Sequence, residues 1–399
     1  MNKQIFNGMI WKALALFCIL TSGCTPANQE EPMQAVIERG LQTAGKQALQ
    51  MAEILKNQDK KLPKTLKNGE LETSNASAWT SGFFPGELWY LYEHTKNETF
   101  KEYAELFTAR LEEIQYCTTH HDVGFMLYCS YGNGYRLTGN SAYKDVLVTG
   151  ARSLSTRFRD HIGLMRSWES NAKVWQYPVI IDNMMNLELL TQAHKLCGVD
   201  SLLNVALTHA NTTMKNHFRP DFTTWHVVDY EPETGDIRMK VTHQGYADDS
   251  AWARGQAWAI YGYPMMYRFT KNQEFLDHAI AVAEYLLPRL PEDGIPYWDY
   301  DSPAIPNDVR DASAASLTAS GLVELSQYVD AEKSARYLAA AEKIIRSLAS
   351  DEYLVAEGEY YGFLLKHSTG HKNKGYEVDV PLTYADYYFL EALIRWKSL

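Results

Sequence analysis

The sequence predicts an all-α fold, an (α/α)6 barrel of six helical hairpins, and three observations predict it. Helical segments of two compositions alternate along the chain, one amphipathic and charged on one face, the other aromatic, small and poor in charge. The second kind recurs at intervals of about 61 residues, longer than the repeats of common helical solenoids and suited to one long hairpin plus a loop. Six such pairs fill the chain after its first few dozen residues. A length of 399 residues would also hold two average domains, so it is the repeat that argues for one.

The first 23 residues carry Lys3 and Lys12, an apolar run over 13–20, then Thr21-Ser22-Gly23 before Cys24. This reads as a bacterial secretion signal of the lipoprotein kind, because the run is too short for a spanning helix and small residues precede the cysteine. Cys24 is the expected lipidation site, residues 24–32 a polar tether, and residues 33–399 a single catalytic barrel. The expected location is the cell envelope, periplasmic or outer-membrane anchored, with the membrane met only through the N-terminal lipid. Cys117, Cys129 and Cys197 remain, an odd number at unhelpful spacing, so neither a disulfide framework nor a metal site is expected.

Outer helices are predicted over 33–55, 99–115, 141–158, 200–218, 273–287 and 331–350, where apolar residues return at helical spacing, as at Phe275, Ala279, Val282 and Leu286. Inner helices are predicted over 81–90, 122–137, 182–196, 250–269, 312–328 and 382–396; helices apolar most of the way round belong inside. Inner helices of such a barrel start at one rim. Loops over 219–249, 291–311 and 351–381 enter there, and loops this long are more often functional than idle.

Composition narrows the function. A net charge of -11 argues against a general nucleic-acid binder, while leaving room for an anionic small molecule held by local Arg and Lys. Aromatic residues make up 13% of the chain, with 26 Tyr and 10 Trp, as sugar clefts need, although most aromatics serve the core. There is no Gly-x-Ser-x-Gly, His-Glu-x-x-His, P-loop or Gly-x-Gly-x-x-Gly pattern, so serine hydrolysis, zinc proteolysis and nucleotide use lose support and no cofactor is expected.

Asp122 and Asp182 stand 60 residues apart, each at the start of an inner segment, and so occupy equivalent positions on neighbouring repeats. An aspartate at a helix start is by default a cap for free backbone N–H groups. Equivalent placement favours chemistry instead: two nearby carboxyls with different solvation split their pKa values, one keeping its proton as an acid while the other stays ionised. In the polar-aromatic block from His243 to Trp258, Arg254 and Trp258 fall one helical turn apart, pairing a carboxylate clamp with a stacking ring; the plainer alternative is a buried Arg254 paired with Asp248 or Asp249. Trp79 sits at another rim position, and His226 lies in a long loop, where a lone histidine carries little weight.

These pieces together resemble glycoside hydrolase family 88, the unsaturated glucuronyl hydrolases: Trp79-Thr80-Ser81-Gly82-Phe83-Phe84-Pro85-Gly86, His121-Asp122-Val123-Gly124-Phe125, Asp182-Asn183-Met184-Met185-Asn186-Leu187, the stretch from Asp249 to Trp258, Asp311-Ala312-Ser313-Ala314-Ala315, and Glu377-Val378-Asp379-Val380-Pro381-Leu382. The resemblance implies the same barrel and a 4,5-unsaturated uronic acid left at a chain end by a polysaccharide lyase. It implies hydration of the vinyl ether, with Asp182 protonating C4 and then helping water attack C5, and Asp122 holding substrate and keeping the proton on Asp182. It further implies Trp79, His121, His226, Gln244, Arg254 and Trp258 as pocket residues, with Arg254 on the carboxylate and Trp258 on the ring face. The loop with Ser368, Lys372 and Lys374 falls where relatives contact the aglycone, and departs from the serine-rich sulfate-binding pattern of some members. The expected partner is therefore an oligosaccharide ending in an unsaturated uronic acid. Unsaturated rhamnogalacturonyl hydrolysis and a non-catalytic glycan-binding lipoprotein are the alternatives. The His121-Asp122-Val123-Gly124 pattern disfavours the first, and turnover of substrate would exclude the second.

Overall fold

Amphipathic periodicity turns into helices at all six predicted outer positions of a computed structural model that describes residues 31–399. The outer helices are α1 (Met33–Leu55), α3 (Glu98–Ala109), α6 (Ser141–Ser155), α8 (Asp200–Asn216), α10 (Gln273–Leu286) and α12 (Ala331–Leu348). Each buries one stripe, as α12 buries Tyr337, Ala341, Ile344, Ile345 and Leu348. The side chains of Asn97, Asn140, Asn272 and Asp330 accept backbone N–H bonds at four of their starts. The predicted signal segment, Cys24 and nearly all of the tether lie outside the described residues.

The inner helices are α2 (Phe83–Thr95), α4 (Val123–Leu127), α5 (Asn133–Thr138), α7 (Asn183–Cys197), α9 (Ala253–Thr270), α11 (Ala312–Ser326) and α13 (Thr383–Lys397). They are buried nearly all round; in α11 every residue is. The segment expected as one helix over 122–137 is interrupted by a π turn at Tyr128–Gly132, which splits it into α4 and α5. Neighbour packing runs from α2 through this broken helix to α7, α9, α11 and α13, and α13 returns to α2. That return closes the ring, and α1 clasps it by packing on both α13 and α2. The closure makes the repeat a barrel of six hairpins.

The entering loops are more ordered than the sequence suggests. They fold into hairpins β1–β2 (Leu62–Lys67, Glu70–Ser74), β3–β4 (Phe158–Arg159, Leu164–Met165) and β8–β9 (Ser368–His371, Tyr376–Val380). A three-stranded antiparallel sheet has the order β5 (Tyr177–Ile180), β6 (Val227–Tyr230), β7 (Ile237–Val241). Long rim segments half-covered by neighbours must satisfy their backbone groups, and pairing with one another does so.

The two ends of the ring differ. At the tails of the inner helices, Arg268 and Arg395 pair with Glu188, Glu324 and Glu391, filling that end with buried charge. At the heads, two glycines let inner helices meet. A Cβ on Gly124 would stand 2.4 Å from Asn186 Cα, and one on Gly82 would stand 2.3 Å from Met126 O. The close approach of α4 to α7 brings their leading aspartates to a common hollow.

Candidate active site

Asp122 and Asp182 occupy the N-cap positions of α4 and α7, and neither side chain caps its helix. The default role of a helix-start aspartate is therefore absent, and both carboxyls line one cavity of about 180 Å³. Larger hollows exist on the outer surface, the largest of these near Arg157 and Arg166, but Asp122 and Asp182 open into this one.

The environments of the two carboxyls pull them apart. Burial drives Asp182 up to about 7, with the Arg254 charge opposing and Asp122 adding a smaller upward push. Burial also pushes Asp122 up, but His121, His120 and Arg157 outweigh it and leave the carboxyl below its ordinary range. The expectation that Asp122 keeps the proton on Asp182 thus names the lesser cause. Desolvation leads.

The roles of the two histidines follow from their hydrogen bonds. Asn186 Oδ1 accepts from Phe125 N at 2.9 Å, which orients its amide so that Nδ2 donates to His121 Nδ1 at 3.1 Å. His121 therefore carries its proton on Nε2, which faces Asp122 Oδ1 at 3.3 Å. Burial lowers its pKa to about 4, so at neutral pH it offers an N–H and no charge. The charge comes from His120, whose Nδ1 lies 3.2 Å from Asp122 Oδ2. Burial opposes its protonation, but bonds to Asp122 and Cys117 more than reverse that and lift it to about 10. The Asp122 N–H also points at this Nδ1 at 3.3 Å, a contact that a protonated ring cannot accept; the carboxylate is the partner that fits the charge.

His226 enters at the head of β6, where the strand pairs with β5 and β7. Its Nδ1 accepts from the N–H groups of His243 and Gln244 at 3.1 and 3.0 Å, so the proton sits on Nε2, 3.8 Å from Asp182 Oδ2. Burial holds this ring neutral, and it lies over Trp252 with centroids 4.4 Å apart. Gln244 lines the pocket and donates its Nε2 to Gly370 O at 2.9 Å. Trp79 lines it too, packed on Tyr384 at 4.7 Å.

Four sequence expectations need correction. Arg254 is a buried, paired arginine, but its partner is Asp311 at 2.7 Å and not Asp248 or Asp249, because α9 faces the head of α11 and not its own preceding turn. It still lines the pocket. Trp258 presents no open ring face: it is wholly buried, 5.2 Å from the Phe125 ring and 6.0 Å from Tyr388. Its indole N–H faces the Asp182 carboxyl and stabilises the ionised form, though it stops short of strict hydrogen-bond geometry. Ser368 is wholly buried behind the wall and is not among the residues that line the pocket. The Lys372 ammonium is held by the Asp308 carboxylate and lies 5.0 Å over the Trp298 ring, which engages it within the protein.

Sequence reasoning gave no pocket role to Trp168, Ile180, His243 or Tyr376 and reached His371 only as a member of the loop that holds Ser368 and Lys372; these five complete the pocket wall. His371 and Tyr376 sit in the β8–β9 hairpin, His243 just past β7 and Trp168 just past β4, rim segments where no period marks a residue's facing. His371 is 2% exposed, and burial lowers its pKa to about 4. Lys374 Nζ lies 3.2 Å from His243 Nε2, so it is this lysine that stands near the wall. Among the described residues, no group of three His, Cys, Asp or Glu side chains is placed to hold a metal ion.

An acid and a carboxylate sharing a sugar-sized, aromatic-walled hollow at the head of a helical barrel define a glycoside hydrolase site. Residues 49–396 match the model of Glycosyl Hydrolase Family 88. A Formosa agariphila protein named unsaturated glucuronyl hydrolase is 46% identical over 80% of each chain. The crystal structure of an unsaturated glucuronyl hydrolase specific for heparin superposes with a TM-score of 0.88 at 43% identity, covering 92% of this chain and 98% of that one. A variant of the Streptococcus agalactiae enzyme, solved with dGlcA-GalNAc6S, superposes with a TM-score of 0.79 at 30% identity, covering 92% and 93%. The chain belongs to glycoside hydrolase family 88, with that family's (α/α)6 barrel.

Proposed function

We propose that the enzyme removes the 4,5-unsaturated uronic acid from lyase-generated glycosaminoglycan disaccharides of chondroitin, hyaluronan or heparan type, with Asp182 as the proton donor. One observation carries this reading: in a single pocket Asp182 holds its proton to about pH 7 while Asp122 stays ionised. A vinyl ether needs a proton on carbon before water adds, and a desolvated carboxyl is built to give one.

In this reading Asp182 delivers its proton to C4, the positive charge develops at C5 and the ring oxygen, and water adds to C5 while returning a proton to Asp182. The hemiketal then opens at the C5–O5 bond, and the hemiacetal left at C1 collapses and releases the aglycone. Asp122, fixed by His120 and His121, accepts sugar hydroxyls and supplies negative charge opposite the developing cation. Reaction in D2O is expected to leave deuterium at C4 of the keto acid, and the saturated glucuronide is expected to resist cleavage. Rapid turnover of the saturated analogue would return the site to an ordinary two-carboxylate displacement.

The envelope location is part of the same proposal and rests on the segment from Lys3 to Cys24. Expression with labelled palmitate is expected to label the wild type and not Cys24→Ser; equal labelling of both would remove the anchor.

A further inference from the structure

We propose that Asp311 is a positioning residue for the reaction, holding the Arg254 guanidinium in place and offsetting its charge beside Asp182. Asp311 is wholly buried at the N-cap of α11, on the inner helix next to the one that bears Arg254. Its two oxygens do different work. Oδ1 accepts from Ser313 N at 3.1 Å and from Ser313 Oγ at 2.5 Å, which is a cap's duty, and Thr369 N approaches it at 3.3 Å. Oδ2 takes Arg254 Nη1 at 2.7 Å. A cap needs one acceptor oxygen and no charge, and serine or asparagine serves as well. The second oxygen and the charge are therefore directed at Arg254.

The guanidinium completes a closed set of bonds. Nη1 also donates to Thr369 O at 2.6 Å, and Nη2 donates to Gly370 O at 2.7 Å. Asp311 and Arg254 together pin β8, the strand that carries His371 into the pocket. The Trp252 ring 4.6 Å below the guanidinium and the Tyr384 ring at 5.5 Å confine it without anchoring it along their faces. Of the three acceptors that anchor it, Asp311 is the one that carries charge.

The electrostatic consequence reaches Asp182. The groups that face that carboxyl are Arg254 from α9, Asp122 from the head of α4, His226 Nε2 from β6 at 3.8 Å, and the neutral Trp258 N–H. Those that face Arg254 are Asp311, Asp182, Glu377 and Tyr384, with His371 nearby. His226 and His371 are neutral at pH 7, so Arg254 is the cation that favours ionised Asp182. Asp311 offsets this cation. Without it, the uncompensated guanidinium draws the proton off Asp182 at lower pH, and a slack guanidinium also reaches substrate less well.

This inference rests on Asp182 being the proton donor, so the test reads both. Asp311→Asn and Asp311→Ser each keep a capping oxygen and lose the charge. In either variant, provided it melts as a folded protein, the alkaline limb of the kcat profile for an unsaturated disaccharide is expected to move to lower pH. The shift expected is on the order of half a unit to one unit, with a raised KM, and Asp311→Glu is expected to restore the limb toward wild type. A folded variant with the wild-type limb and KM overturns the proposal, as does failure of both variants to fold, which would make the carboxylate structural. A wild-type profile with no alkaline limb would instead sink the assignment of Asp182, and this inference with it.

Discussion

Asp182→Asn is expected to fold as the wild type and to lose turnover by at least about 100-fold to 10,000-fold, the range for removing a general acid–base group. The amide matches the carboxyl in shape, and since Asp182 caps nothing, no helix bond is forfeited. What disappears is a proton that burial retains on the side chain to about pH 7. The same placement sets the pH dependence. The protonated acid is the active form, so wild-type turnover should fall as pH rises through about 7. On the acid side it should fall only below the ordinary carboxylate range, where Asp122 takes up a proton. A steady-state profile of disaccharide consumption, followed by loss of the enol-ether absorbance, checks both limbs. A folded Asp182→Asn retaining more than about a tenth of wild-type turnover, far outside that range, would displace Asp182 from the centre of the mechanism.

Arg395→Ala is expected to cost about 3–5 kcal/mol of unfolding free energy, as breaking a buried ion pair from one side does. Arg395 bridges Glu324 at 2.9 Å and Glu391 at 3.3 Å at the tail end of the ring, where their side chains are 4% and 6% exposed. Glu324 keeps Arg268, but Arg395 is the only cation paired with Glu391 among the described residues. Glu391 is left with neutral partners, Tyr90, Tyr261 and Ser320. Urea unfolding measures the loss, and a value under about 1 kcal/mol would place the pair among exposed bridges.

The rim shows why some of the site was legible in the sequence and some was not. Asp122 and Asp182 could be found because each opens an inner helix and the helical repeat carries equivalent positions around the ring. Trp79 and Arg254 were likewise reachable from their places near helix heads, and His121 and Gln244 through the family resemblance; all four line the pocket. Trp258 misled because a helical turn tells which residues share a face but not what lies against it; Phe125 and Tyr388 from other inner helices cover its ring. Lys372 misled for a related reason, since its charge is engaged by Asp308 on a loop 64 residues earlier. His120 escaped notice beside His121 because the two differ only in which ring nitrogen finds which partner.

The sequence by itself determined the barrel, the order of its hairpins and the two aspartates at neighbouring helix starts. Those follow from periodicity and spacing, which are local properties of the chain. The tertiary structure alone decided what each group is. It set which carboxyl keeps a proton, which histidine is charged, and that Arg254 is tied to Asp311. Ionisation depends on burial and on charges a few ångströms away, and at this rim those are supplied by residues tens to hundreds of positions distant. Only closure of the ring from α13 back to α2 brings them together.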